Sequence, residues 1–243
     1  MFELISDWVS TPVCGLISPI IPAIFAKHCV AYLDGFWVTI VLLVLSVVAG
    51  FVLAMATALA RLSSIVWLGR VAAVYSYIFR GTPLLVQLFI VYYGLGSFGE
   101  EGMGSFLWAI IGSGWNVGVI VLSLNTGAYS AEIIRGAVIN LPPGQMEAAK
   151  AAGMSWLMAM QRILLPQAFR YCLPAYCNEV VLLMKGSVLV STITVLDLMG
   201  VTRKIFAGSY QLSIYVNAAV MYLLIAGLIT WIFRRLEQRL KIV

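Results

Sequence analysis

The chain of 243 residues is 62% hydrophobic and 10% charged, with a mean hydropathy of +1.00. A soluble domain carries about 25% charge, so this is a polytopic membrane protein. Its formal net charge of +5 is not a nucleic-acid signal, because Lys and Arg stand singly or in pairs at the ends of apolar stretches and form no patch. Cys14, Cys29, Cys172 and Cys177 lack the C-x-x-C spacing of zinc or redox sites. They read as small apolar residues, with an external Cys14–Cys29 disulfide as the alternative.

Residues 1–35 carry Pro12, Pro19 and Pro22, and the apolar run Val13 to Ala26 is shorter than the about 20 residues a bilayer demands. The basic start and small-residue cleavage site of a signal peptide are also missing. An interfacial segment is expected, ending at Lys27, His28 and Asp34. The first span runs from Phe36 to Ala60 and stops at Arg61. The second, Val71 to Gly94, is interrupted at Phe79-Arg80-Gly81-Thr82-Pro83, where Pro83 removes a backbone donor and predicts a kink. Ser97 to Trp115 is a Gly-rich external connector with Trp108 and Trp115 as interface anchors. The third span, Asn116 to Val138, holds Asn125, Tyr129 and Glu132 at i, i+4 and i+7, on one face turned from lipid. That face is either an interhelical hydrogen-bond network or the lining of a pathway.

Next comes a polar stretch between greasy ones. Leu141-Pro142-Pro143-Gly144 blocks a helix from upstream, Gln145 to Ala152 is rich in helix formers, and Gly153 breaks the run. A short helix, a bend and a second helix from Ser155 to Leu165 are expected, all in water. The fourth span, Leu173 to Val190, contains Asn178, Glu179 and Lys185. At 1.5 Å per residue Glu179 sits about 9 Å into it and Lys185 about 18 Å. Ionisable groups at such depth generally face a bundle interior or a wet pathway. Six positions turn a helix through about 240°, so the two are not partners within it. Ser191 to Gln211 is a polar connector, and the fifth span runs from Leu212 to Phe233. Arg61, Arg70, Arg80, Arg135, Lys150, Arg162, Arg170, Arg234, Arg235, Arg239 and Lys241 fall on one side. Lys27, Arg203 and Lys204 fall on the other. The bias places the N-terminus outside (periplasmic) and the C-terminus and polar loop in the cytoplasm.

The loop's spacing, E-A-A from Glu147, then Gly153, Ile163, Leu165 and Pro166, resembles the EAA loop of permease subunits in bacterial ABC importers. R-G-T-P-L-L-V-Q from Arg80 and L-N-T-x-A-Y-x-x-E-I-x-x-G from Leu124 to Gly136 resemble the polar amino-acid members of that family. N-E-V-V-L-L-M-K-G-S from Asn178, followed by V-S-T-I-T-V-x-D-L, looks most like the histidine, lysine/arginine/ornithine and opine importers. Many permeases of the family carry an acidic residue after the Lys, and Gly186 departs from that pattern.

The resemblance implies an all-α integral membrane protein of the type I permease fold, with five transmembrane helices and one permease domain over 36–243. The EAA loop, 141–166, would be a coupling helix docked on a separate ATPase through Glu147, Ala148, Ala149, Gly153, Ile163, Leu165 and Pro166. Asn125, Tyr129, Asn178, Glu179 and Lys185 would line the substrate pathway for polar or basic amino acids or opines. Implied partners are an ATPase dimer holding ATP and Mg, a second permease copy or homologue, a periplasmic binding protein and membrane lipid, all at the bacterial inner membrane. The residues agree: no G-x-x-x-x-G-K-[ST] phosphate loop occurs, so this chain is not the ATPase. His28 is the only His and no G-x-S-x-G appears, so neither an enzyme nor a metal site is expected. An ion-coupled secondary transporter is the alternative, and it would show duplicated halves that five spans do not supply.

Overall fold

The structure, a computed structural model, describes residues 9–17, 23–142 and 144–240; Pro19, Pro22, Pro143 and Lys241 lie outside the described residues. In chain order come α1 (Thr11–Ile17), α2 (Ala23–Ala26), α3 (Cys29–Leu62), α4 (Val66–Gly81) and α5 (Leu84–Phe89). A π-helical turn (Ile90–Leu95) and a 3-10 turn (Gly96–Phe98) lead to α6 (Gly99–Met103), α7 (Ser105–Ile111), α8 (Gly114–Ile139) and α9 (Gln145–Ala151). Then follow α10 (Trp156–Ala159), a π turn (Met160–Leu164), α11 (Leu165–Ser187), a 3-10 turn (Val188–Ile193), α12 (Leu198–Ser209) and α13 (Ser213–Leu240). No strand occurs among the described residues.

Four stretches are long and apolar enough to cross a bilayer: Cys29–Leu62, Gly114–Ile139, Trp156–Ile193 and Ser213–Leu240. Counting the broken pair of Val66–Gly81 with Leu84–Met103 as one span gives five. Three expectations about helix breaks and cysteines are revised. At Thr82-Pro83 the helix is fully interrupted rather than kinked, because Thr82 ends α4 in an extended conformation and Pro83 has no N–H to continue the ladder. Pro166 does not end the helix after the bend; the π turn just before it re-registers the ladder, and helix runs from Trp156 to Ile193. Cys14 and Cys29 form a disulfide, so they are not merely small apolar residues.

The chain divides into two compact units. One comprises Met1–Ser46, Leu84–Leu122 and Leu183–Gly227. In it part of the stretch read as a polar connector is core: Leu198, Gly200, Val201 and Thr202 of α12 are buried. Asp197 caps this helix, its Oδ1 accepting from Gly200 N at 2.9 Å, and Leu198 N donates to Thr39 Oγ1 at 3.0 Å. Gly35 permits that approach, since a Cβ there would stand 3.0 Å from Leu198 Cα. At Gly186 a Cβ would lie 2.9 Å from Leu84 Cδ2, so a larger residue there requires the Leu84 side chain to shift.

The second unit comprises Val47–Pro83, Ser123–Leu182 and Leu228–Val243. Here α3 and α8 meet at Gly50, where a Cβ would collide with the Thr126 methyl. Small residues thus replace apolar bulk at a helix crossing, as membrane interfaces prefer. A core of Ala54, Ala58, Ile134, Ala149, Met160 and Leu164, among others, ties α3 and α8 to the loop helix α9.

Candidate functional site

Both polar regions picked out from the sequence lie in the second unit, apart from Lys185. The loop is the simpler. Helix α9 ends in a Schellman turn: Gly153 N donates to Lys150 O at 2.9 Å and Met154 N to Ala149 O at 3.0 Å, with Gly153 left-handed at φ 76. Ser155 then caps the next helix, its Oγ accepting from Met158 N at 3.3 Å. The buried Ala149 and the half-buried Met146 and Met154 fasten α9 to the core, while Glu147 and Ala148 are exposed. Ile163 is half-buried, Leu165 buried and Pro166 exposed. The loop therefore offers an outward polar face on a helix whose other face is anchored.

The second region is built around the break at Thr82-Pro83. A helix end leaves carbonyls without intrahelical donors, and within a bilayer each would cost several kcal/mol unpaired. Two donors come from α8: Asn125 Nδ2 reaches Phe79 O at 3.1 Å and Tyr129 Oη reaches Arg80 O at 3.2 Å. The Arg80 guanidinium lies 5.5 Å from the Tyr129 ring centroid, a cation–π contact. Further along the same face Glu132 is held by two arginines, Arg61 at 2.6 Å and Arg135 at 2.8 Å. Thus the predicted Asn125, Tyr129 and Glu132 face is realised as an interhelical network.

Glu179 differs. It is 7% exposed and accepts from Thr126 Oγ1 at 3.1 Å, and among the described residues it forms no ion pair. Its neighbour Asn178 is exposed. Lys185 is also exposed and belongs to the other unit. Sequence reasoning did not pair Thr126 with Glu179, and it missed Arg61 as the partner of Glu132, a pairing 71 positions apart with no local signal.

Residues 46–242 match the family described as binding-protein-dependent transport system inner membrane component. The chain belongs to this family. It is a multi-pass inner-membrane protein and the permease subunit of an ABC importer. The octopine transport system permease protein of Rhizobium radiobacter is 41% identical over 223 residues, 91% of each chain. The histidine/lysine/arginine/ornithine transport system permease protein of Escherichia coli K12 is 43% identical over 206 residues, 84% of this chain and 87% of the relative. A crystal structure of an amino acid ABC transporter with histidines superposes with a TM-score of 0.78 at 33% identity, covering 90% of this chain and 99% of that one. The methionine importer MetNI in an inward-facing form shares the fold at 19% identity, with a TM-score of 0.76 over 89% of this chain and 99% of that one.

Proposed function

We propose that this permease carries amino acids or opines with a cationic group across the inner membrane, and that Glu179 receives that group. The observation carrying the reading is a buried carboxylate, bonded to one hydroxyl and to no cation. Ionised and unpaired it is costly, so a cationic ligand visiting it gains what the protein alone does not supply. The relatives named for octopine and for histidine, lysine, arginine and ornithine support the substrate class. Asn178 and Lys185 are the further pathway positions of this reading. Asn125 and Tyr129 act on the pathway by holding the helix break beside it.

One such chain encloses too little for a pore, so a second permease, identical or homologous, packs against it. A binding protein delivers substrate from outside, where the charge bias puts the N-terminus. Two ATPase subunits bind ATP and Mg below and grip the exposed Glu147-Ala148 face; Gly153, Ile163, Leu165 and Pro166 keep the loop rigid, so that ATPase closure moves α11. The chain itself holds no cofactor and catalyses nothing.

Glu179→Gln tests the assignment in the assembled complex in liposomes. It should leave assembly intact and cut uptake about tenfold or more for doubly cationic substrates, with a smaller loss for neutral ones. If instead assembly fails and the Glu179→Gln/Lys185→Gln double variant restores it, the carboxylate is half of a structural ion pair across the permease dimer, since removing one partner costs more than removing both. Unchanged uptake of every substrate would end the proposal.

A further inference from the structure

Within the first unit a cleft of about 890 Å³ opens beside three span ends. Its lining comes from the residues around the start of α3 (Lys27 to Val38), the start of α8 (Ser113 to Trp115) and the stretch Thr194 to Ser209 that follows the Trp156–Ile193 span. Three spans beginning or ending at one cleft put it at the level where the membrane meets water. The charge bias leaves three Lys or Arg on the outer side, Lys27, Arg203 and Lys204, and two of these line this cleft together with His28. Val38, Val195, Leu196, Val201 and Ile205 give the walls an apolar part, to which Trp115 adds. Lys27 and Lys204 are exposed, and the helices α3 and α8 both begin here, so their positive dipole ends add to the field. One acid, Asp34, also lines the cleft and accepts from Ser10 Oγ at 2.7 Å.

We propose that this cleft binds an anionic phospholipid of the outer leaflet. A phosphate diester would sit between Lys27, His28 and Lys204, and the start of an acyl chain would lie along Val38, Val201 and Ile205. Inorganic phosphate shares the charge but not the apolar part, and the volume far exceeds what it fills. An acidic side chain of a soluble partner shares the charge likewise but gains nothing from walls at membrane depth. A headgroup with hydroxyls, such as phosphatidylglycerol, is the best match, because Asp34 then accepts from a hydroxyl instead of repelling the phosphate. The site is independent of which substrate the permease carries.

The test is native mass spectrometry of the whole importer, delipidated in detergent and titrated with phosphatidylglycerol, phosphatidylcholine or inorganic phosphate. Phosphatidylglycerol should stay bound where phosphatidylcholine does not. Each cleft lysine near a charged headgroup is worth about a fivefold change, so Lys27→Gln/Lys204→Gln should lower retention about 30-fold while Arg203→Gln, outside the cleft lining, should not. Val201→Trp fills the cleft with its charges kept and should also expel the lipid; it serves where the double variant assembles poorly. Equal retention in the double variant and the parent, or no preference over phosphatidylcholine, overturns the proposal. So does displacement of the lipid by millimolar phosphate, which would make the site one for soluble phosphate. Displacement by the binding protein alone would reassign it as a docking surface.

Discussion

Gly153 isolates the mechanical demand on the loop proposed to couple to the ATPase. Its φ of 76 lies in the left-handed region, and a Cβ built there meets nothing within 4 Å. Any cost of substitution is therefore backbone strain and not a clash. For an ordinary residue that strain is about 1–2 kcal/mol, larger for a β-branched one and smaller for Asn, which tolerates this region. The competing relaxation is loss of the Schellman bonds to Lys150 and Ala149, which would let α9 swing off its buried Ala149 anchor. A penalty of 1–2 kcal/mol moves such an equilibrium about 5- to 30-fold. Gly153→Asn, →Ala and →Val should accordingly lower the ratio of transport to ATP hydrolysis in that order in liposomes, with assembly preserved and Val the worst. Full coupling in Gly153→Val would refute the reasoning. Asn being as harmful as Val would refute it too, because size would then matter where the structure leaves open space.

Glu132→Gln removes the charge that holds Arg61 and Arg135, a pairing with 14% of the Glu side chain exposed. With each charge-assisted bond worth about 1.5–3 kcal/mol when buried and less here for partial exposure, about 1–3 kcal/mol in total should be lost, read as a lower unfolding midpoint of the solubilised complex. Asp197, fully buried, has its carboxyl pushed up by burial to about 6, against its helix-cap hydrogen bonds, which pull the other way. The folded protein therefore holds this proton more tightly than the unfolded chain, and stability falls as pH rises from about 4 through 6, by about 3 kcal/mol from this group. Asp197→Asn keeps the cap and should flatten that slope in pH-dependent melting, whereas Asp197→Ala should lose the cap as well, about 1 kcal/mol; an unchanged slope in Asp197→Asn would assign it to another group.

Local signals in the sequence proved sufficient at the loop bend and on the polar face of α8. Gly153 after a run of Ala and Glu gives the bend, and the i, i+4, i+7 spacing of Asn125, Tyr129 and Glu132 gives their shared face. Distance along the chain hid other features. Leu198 N and Thr39 are 159 positions apart, so nothing near Asp197 announces that the connector folds into core, except an Asp directly before a helix start. The helix expected to run from Ser155 to Leu165 continues through Pro166 because of a π turn that has no composition of its own. Cys14 and Cys29 are 15 apart, a spacing that fits a bridge and equally fits two apolar residues.

The R-G-T-P break and the L-N-T-x-A-Y stretch read as two separate motifs, yet the geometry makes them one device. Thr82 and Pro83 end α4 in the middle of an apolar stretch and strand carbonyls that lipid has no means to satisfy. Phe79 O and Arg80 O are then met by Asn125 and Tyr129, whose spacing of four matches one helical turn. Thr126, one position on from Asn125 and rotated by about 100°, points its hydroxyl to Glu179 instead. A single turn of α8 thus fixes the broken helix on one side and orients the buried carboxylate on the other. Any motion of α11 that carries Glu179 acts against Thr126 and through α8 against the break, so the buried carboxylate and the broken helix are mechanically joined.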